Sequence, residues 1–476
     1  MALAADALTR DLAVPALRTV FICQQCGAGS SKWAGQCGAC SGWNSLVETI
    51  GRQGRNAGAA AARAGLAVDA VPQPVAGVRS AEAERLPTGI GEVDRVLGGG
   101  LVPGSILLVG GDPGIGKSTL LLQVAARVAR AGGRVVYIGA EESAAQIRGR
   151  AERVGAVVDG LDLLATTDLA ATLAALDATA PSLAVVDSVQ TLASPELNGP
   201  AGSVGQVREV AARLAELAKA GRTCVALVGH VTKEGTVAGP RTLEHLVDAV
   251  MYLEGERLGT TRLLRGAKNR FGSTDELGVL EMRSEGLAEV TDASRFFLED
   301  GEAPVAGSAV TITLEGSRPL AVEVQALVAP VSYGSPRRAV RGIDLNRVLM
   351  LIAVLARHAG LNLAAHDVYV SVAGGLRIDE PAADLAVAAA LTSSHGERPV
   401  TTGTALTGEI ALSGRVRTAT RVERRLAEAR RLGFGWLVTG AASGGTAKGD
   451  GGSGCSLLEV ADVRQALGKI LETAMR

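Results

Sequence analysis

Leu107 to Gln123 reads LLVGGDPGIGKSTLLLQ, an apolar run that passes through a glycine-rich turn into an amphipathic stretch. Gly111, Gly116, Lys117 and Ser118 fit the spacing GxxxxGK[ST]. The flanks give the motif its meaning, because Ile106 to Val109 has the pattern of a buried strand and Leu120 to Val128 that of a helix. In such a turn the glycines let backbone N–H groups face phosphate oxygens at a helix N-terminus. The nucleotide cradle expected here is Gly111, Asp112, Pro113, Gly114, Ile115, Gly116, Lys117, Ser118 and Thr119, with Lys117 as a point charge on phosphate and the Ser118 hydroxyl on Mg²⁺. A structural turn that happens to carry Lys-Ser is the alternative, and the order strand, loop, helix argues against it.

Working outward, Thr88 to Leu97 reads as a short capped helix with Gly98 to Gly100 as its exit. Beyond the cradle, the apolar runs RVVYIGAEES, DLLATT, SLAVVDSVQT and TCVALVGHVT alternate with helical patterns, which predicts a parallel sheet in an α/β fold. Asp187 ends one such strand, the setting of a carboxylate that holds Mg²⁺ through water; a strand-end cap is the plainer reading. Glu141 and Glu142 end the strand after the cradle helix, where a carboxylate would orient an attacking water, or where a surface pair would stand. His230 and Lys233 end the next strand, where a residue would either sense a γ-phosphate or simply cap the strand. The Gly- and Pro-rich segments Ser194 to Gln206 and Thr232 to Leu243 read as loops, and Lys233 and Arg241 are the candidates for gripping a nucleic-acid strand. TTRLLRGAKNRFGSTDELGVLEM predicts a hairpin in which Lys268 and Arg270, two apart, share a face. Such a cation pair either neutralises phosphate charge in a neighbouring subunit or is a solvated turn.

The 476 residues suffice for two or three domains, and 47% hydrophobic content supplies sizeable cores. A net charge of -1 excludes nucleic-acid binding through bulk charge, leaving local patches. The first twenty residues lack a basic start and an apolar centre, and no run approaches a membrane span of roughly 20 residues, so the expected location is cytoplasmic. Of six cysteines, Cys23, Cys26, Cys37 and Cys40 form two CxxC pairs ten residues apart. Two pairs at that spacing predict a structural Zn²⁺ site with four thiolates and no open position, in preference to a redox pair. Trp33 and Trp43 are expected to pack on the site, or, if exposed, to stack on a base or partner. The domain boundaries expected are a zinc ribbon over 19–50, a flexible linker over 51–80 and an ATPase over 81–292.

With the ribbon, linker, GDPGIGKST and Lys268-Asn269-Arg270-Phe271-Gly272 in this order, the chain resembles the bacterial RadA (Sms) family of recombination and repair proteins over nearly its whole length. The resemblance implies a RecA-like P-loop ATPase core with an N-terminal zinc ribbon and a C-terminal Lon-peptidase-like α/β domain. It implies ATP, Mg²⁺ and Zn²⁺ as cofactors, a hexameric ring on single-stranded and branched DNA, and branch migration alongside the RecA recombinase. By the same likeness Glu141 falls where the catalytic glutamate stands, and Lys268 and Arg270 would act in trans. A nucleotide-gated binding switch that moves no DNA is the competing reading, and the ribbon and KNRFG stretch stand against it.

Residues 296–476 carry the Lon resemblance: AVTITLEG, LAVEVQALV, a helix over Asn346 to His358, DVYVSVAGGLRIDEPAADLAVAAALTSS and ALTGEIALSGRVR. In Lon proteases the stretch matching Asp379 to Asp384 presents a nucleophilic serine, and a lysine follows some forty residues later. Here Ala382 occupies the serine position, and VERRLAEARR offers Glu423, Arg424 and Arg425 but no lysine, so the domain is expected to be a non-proteolytic scaffold. The Arg417 to Arg431 helix, with arginines at 415, 417, 421, 424, 425, 430 and 431, is either a further DNA contact or a solvated face. Ala441 to Ser456 reads as a surface loop.

Overall fold

The computed structural model describes residues 17–23, 29–30, 32–38, 41–52, 84–230, 243–255, 259–298, 305–331, 334–441 and 454–471. They fall into two compact units: Met1–Leu253 with Gly266–Ser273 and Ser284–Leu287, and Glu254–Arg265 with Thr274–Arg283 and Ala288–Arg476. Among the described residues no helix is long and apolar enough to cross a membrane.

At the N-terminus, β1 (Leu17–Cys23) pairs antiparallel with β2 (Gly29–Ser30) and with β3 (Leu46–Arg52). Leu17 faces Arg52, so Gly51 and Arg52, expected in the linker, extend the strand instead; the rest of that linker lies outside the described residues. Cys23, Cys37 and Leu46 form one small buried cluster against Phe21. Trp33 and Trp43 do not join it: they are 57% and 71% exposed, which corrects the expectation that they pack on the site. A ribbon this small has too little apolar surface to cover two indoles.

In the first unit, α1 (Gly91–Leu97) begins three residues later than Thr88. Thr88 is spent on a turn, its N–H donating to Asp94 Oδ1 (2.8 Å) and its hydroxyl to the Ile90 carbonyl (3.1 Å). Then follow β4 (Ile106–Gly111), α2 (Lys117–Arg130), β5 (Val135–Gly139), α3 (Ala144–Arg153), β6 (Leu161–Ala165), α4 (Leu169–Thr179), β7 (Leu183–Asp187), α5 (Val204–Gly221), β8 (Cys224–Val228) and β9 (Ala249–Glu254). The strands pair in parallel in the order β9-β4-β8-β7-β5-β6. Every residue of β4, β5, β7 and β8 is buried, as continuous Val, Leu and Ile runs require of strands covered on both faces. Ser143 and Gln146 form a capping box that starts α3 just after Glu141 and Glu142. The segment after Ser194 is a built turn. The buried Gln206 amide donates to the carbonyls of Ser194 (3.1 Å) and Leu197 (2.8 Å) and accepts from the Ser194 N–H (2.8 Å).

Next, β10 (Thr261–Asn269) pairs antiparallel with β11 (Leu277–Arg283), from Thr261 opposite Glu281 to Arg265 opposite Leu277, which is the expected hairpin. There follow β12 (Gly286–Glu289), α6 (Ala293–Phe296), β13 (Ser308–Glu315), β14 (Arg318–Pro330), β15 (Arg338–Arg341), α7 (Leu345–Val354) and β16 (His366–Val372). The chain ends with α8 (Asp384–Gly396), β17 (Thr404–Leu406), β18 (Glu409–Ile410), β19 (Val416–Arg417), α9 (Val422–Leu432), β20 (Trp436–Gly440), β21 (Ser456–Val460) and α10 (Val463–Ile470). The sheet runs β15-β16-β14-β13-β17-β20-β21 and packs on the alanine-rich, almost wholly buried α8. The helix expected to reach His358 is α-helical only to Val354 and continues as one π turn, Leu355–Ala359, stopped by Gly360 in the left-handed region.

Of the arginines around α9, Arg425 is buried, while Arg415, Arg417, Arg421, Arg424, Arg430 and Arg431 are exposed, several of them with an acceptor in reach. Arg425 is wholly buried and donates to the carbonyls of Ile312 and Thr420 and to the Glu380 carboxylate. Arg431 forks onto Asp292 (2.8 and 2.9 Å) and also binds Glu428. Arg424 donates to Ser317 O (3.1 Å), Arg430 to Cys455 O (3.2 Å), and Arg417 lies 3.4 Å from Glu409. Most of these acceptors lie outside the helix.

Candidate nucleotide site

At the carboxyl end of β4 the chain enters the cradle, and backbone geometry explains its glycines. Gly111 has φ 148°, and a Cβ there would lie 2.4 Å from the Leu253 carbonyl oxygen; Gly116, the residue before α2, has φ 116°. Both positions exclude ordinary side chains. Lys117 is the first residue of α2 and turns back into the loop, donating from Nζ to the carbonyls of Gly111 (2.8 Å) and Asp112 (3.0 Å). Its burial lowers the ammonium pKa, an effect opposed by the charges of Asp187, Asp112 and Glu141. Lys117 thus occupies the cradle with main-chain oxygens as its partners, groups that phosphate oxygens outcompete as charge-assisted acceptors.

Two strands away, Asp187 closes β7 and is nearly buried. The Tyr137 phenol in β5 donates to Asp187 Oδ2, and the Arg150 guanidinium of α3 lies 4.0 Å from the same oxygen. Burial, with the adjacent Asp187 charge, pushes the Tyr137 pKa well up, so the phenol keeps its proton and acts as a donor. Arg150 also binds Glu142, which makes Glu142 a structural partner and leaves Glu141 to face the site. Glu141 accepts a hydrogen bond from the Ser188 hydroxyl, and His230 Nε2 at the end of β8 lies 3.2 Å from it. The His230 hydrogen bond is the main cause lowering the Glu141 pKa; burial acts the other way, and Ser188 and the Lys117 charge add to the lowering. The result is an ionised carboxylate of fixed orientation at neutral pH, able to align a water and accept its hydrogen bond.

The structure therefore brings Lys117, Glu141, Asp187 and His230 to one edge of the sheet, the carboxyl edge where open α/β sheets bind ligands. The cradle and carboxylate fit Mg²⁺ and a nucleoside triphosphate, with Ser118 and Asp187 as the residues that would hold the ion. Lys268 and Arg270 are bound elsewhere in the first unit, to residues 244–248. Lys233 and Arg241 lie outside the described residues. Tyr137, Ser188 and Arg150 were not singled out from sequence; the one available signal was a hydroxyl, Tyr137, inside a strand otherwise free of polar groups.

For the zinc site, Cys23 and Cys37, the first cysteine of each CxxC, share one buried cluster, and Ser45 Oγ is 3.2 Å from Cys23 Sγ. That convergence fits a shared soft ion; Cys26 and Cys40 lie outside the described residues.

Comparison with known families matches residues 72–236 to an AAA domain, 21–48 to a rubredoxin metal binding domain and 355–441 to the Lon protease (S16) C-terminal proteolytic domain. The DNA repair protein RadA of Bacillus subtilis (strain 168) is 46% identical over 451 residues, 94% of this chain and 98% of the relative. The protein of the same name from Halalkalibacterium halodurans is 47% identical, and that from Streptococcus pyogenes serotype M6 is 49% identical, each covering 88% of this chain and 91% of the relative. With a P-loop ATPase site assembled on its sheet, a ribbon ahead of it and a Lon-type domain behind, the chain belongs to the family of the DNA repair protein RadA.

Proposed function

We propose that this protein is a DNA-dependent ATPase of recombination and repair, a hexameric ring on single-stranded DNA that drives branch migration with RecA. In this reading Lys117, Ser118 and Asp187 hold Mg-ATP, Glu141 positions the water, Lys268 and Arg270 complete the site of the next subunit, and Lys233 and Arg241 meet DNA. Cys23, Cys26, Cys37 and Cys40 hold Zn²⁺ in a ribbon that runs through Arg52, and the boundaries that follow are 53–80, 81–292 and 296–476.

The observation that carries the reading is the Lys117–Glu141–Asp187 grouping, with His230 beside Glu141: a hydrolytic arrangement with a sensor at the residue just before 231–242. The C-terminal domain is proposed as a non-proteolytic scaffold, since Ala382 carries no nucleophilic atom and Arg425 is occupied by Glu380. The test is extension of a branched DNA substrate, with RecA, in the presence and absence of ATP. ATP-dependent extension is expected. Extension that ignores ATP would sink the motor reading, and ATP hydrolysis without any DNA binding would favour the nucleotide-gated switch.

A further inference from the structure

We infer that Asp248 is a positioning residue for Arg270, holding the guanidinium in the geometry with which it serves the neighbouring subunit's nucleotide, at the end of the turn that receives Lys268. The inference rests on the reading above that Lys268 and Arg270 act in trans.

Residues 244–248 receive both cations. Lys268 Nζ donates to the carbonyls of Glu244 (2.6 Å) and Val247 (2.8 Å), which takes two of its three donors. Arg270 donates from Nη1 to Asp248 Oδ1 (2.9 Å), and its backbone N–H donates to the Asp248 carbonyl (3.0 Å). A guanidinium has five N–H donors, so one bond to a carboxylate fixes its place and leaves the rest for a phosphate.

Burial is divided unevenly across the ion pair. The Asp248 side chain is 8% exposed, whereas that of Arg270 is 52% exposed. Arg270 and Phe271 line a cleft of about 580 Å³ that also presents Lys219 and Arg222. The carboxylate is the fixed anchor and the guanidinium the end that reaches out.

The anchor is itself secured to the strand that leads into the nucleotide cradle. Asp248 Oδ2 accepts from the Ile106 N–H (3.1 Å), and the Asp248 N–H donates to the Ile106 carbonyl (2.9 Å). Ile106 begins β4, and Gly111 ends it. The Tyr252 phenol, donating to Glu244 Oε1 (2.9 Å), secures the other end of the turn. One rigid strand thus has a subunit's own phosphate cradle at one end and, through Asp248, the Arg270 guanidinium offered to its neighbour at the other. A carboxylate whose two oxygens are committed to separate groups does this; a solvated turn needs neither bond.

The experiment is a mixed-ring complementation on the full-length, zinc-loaded protein with DNA. Asp248→Asn keeps an acceptor for the Ile106 N–H and removes the charge that holds Arg270. Alone, it should lose ATPase rate by about 10- to 100-fold, the cost of misplacing a reacting group, while binding a fluorescent ATP analogue normally. Mixed with Lys117→Ala, it should regain activity, because its intact cradles then face undisturbed Lys268 and Arg270 of Lys117→Ala subunits. Arg270→Ala mixed with Lys117→Ala is the reference. Recovery there but not with Asp248→Asn would show that Asp248 supports its own subunit's nucleotide cradle and not the guanidinium offered to the neighbour, and would overturn the inference alone. No recovery in the reference pair would overturn the trans reading, and the inference with it. If far-ultraviolet circular dichroism shows that Asp248→Asn does not fold, Tyr252→Phe takes its place, with the same pattern expected at smaller amplitude and the same overturning outcome.

Discussion

Two places in this molecule bring charged residues to the start of a helix beside a sheet, and they use those charges in opposite ways. At the nucleotide site, Lys117 is held only by two main-chain carbonyls, and Glu141 by a serine and a histidine, so both keep bonding capacity for an incoming ligand. At the Lon-like position, Arg425 is wholly buried and engaged by Ile312, Thr420 and Glu380. Glu380 also accepts from the Thr313 hydroxyl (3.0 Å) and the Leu314 N–H (2.8 Å). The comparison teaches how to separate a working constellation from a structural one. What distinguishes them is how much hydrogen-bonding capacity is left unspent, more than residue type or burial.

The comparison predicts the largest effects with opposite signatures. Arg425→Ala leaves Glu380 without its countercharge in the second unit and should destabilise the protein by about 3–5 kcal/mol, the cost of breaking a buried pair. Calorimetric unfolding checks this, and a loss below about 1 kcal/mol would mean the pair is not the saturated element described. Lys117→Ala should do the reverse. DNA-stimulated ATP hydrolysis should fall by on the order of 100- to 1,000-fold, as on removal of a charge that meets the transition state, with the unfolding midpoint little changed. Hydrolysis that survives would remove Lys117 from the site.

The sequence made the nucleotide site legible because its parts are local. Nine consecutive residues spell the cradle, and strand periodicity puts Asp187 and Glu141 at strand ends. It did not show which side chains hold these carboxylates, since Tyr137, Ser188 and Arg150 reach them only through the tertiary fold. The same limit explains the α9 arginines: counting charges along a helix gives no information on carbonyls and carboxylates from remote segments, such as Ile312 and Glu380. Asp248 carries no signal in the sequence for the same reason, its partner Ile106 being 142 positions away.

His230 gives a smaller, pH-resolved test of the working site. Its hydrogen bond is the main influence holding the Glu141 pKa down, so its removal should raise that pKa. A base with a raised pKa becomes protonated at higher pH, and the acid limb of the kcat profile of His230→Ala should move to higher pH. The rate near pH 6 should fall by about tenfold at most, and the rate at pH 8 should change less. An acid limb that does not move would separate His230 from Glu141 and leave it a loop anchor.

The smallest expected effect is none at all, and it tests the other side of the comparison. Ala382→Ser restores the atom that a Lon-type nucleophile needs, yet the new hydroxyl would sit at a buried position. A serine attacks only when a base takes its proton. Arg425, in this region, points its N–H groups at Glu380 and two carbonyls, and a guanidinium offers donors and no acceptor, so it cannot serve as that base. Cleavage of casein or a fluorogenic peptide should therefore remain at background in Ala382→Ser, with or without ATP. Turnover above background would show that the domain needs only one atom to become a protease, and the division between a poised site and a saturated one would then fail at its saturated end.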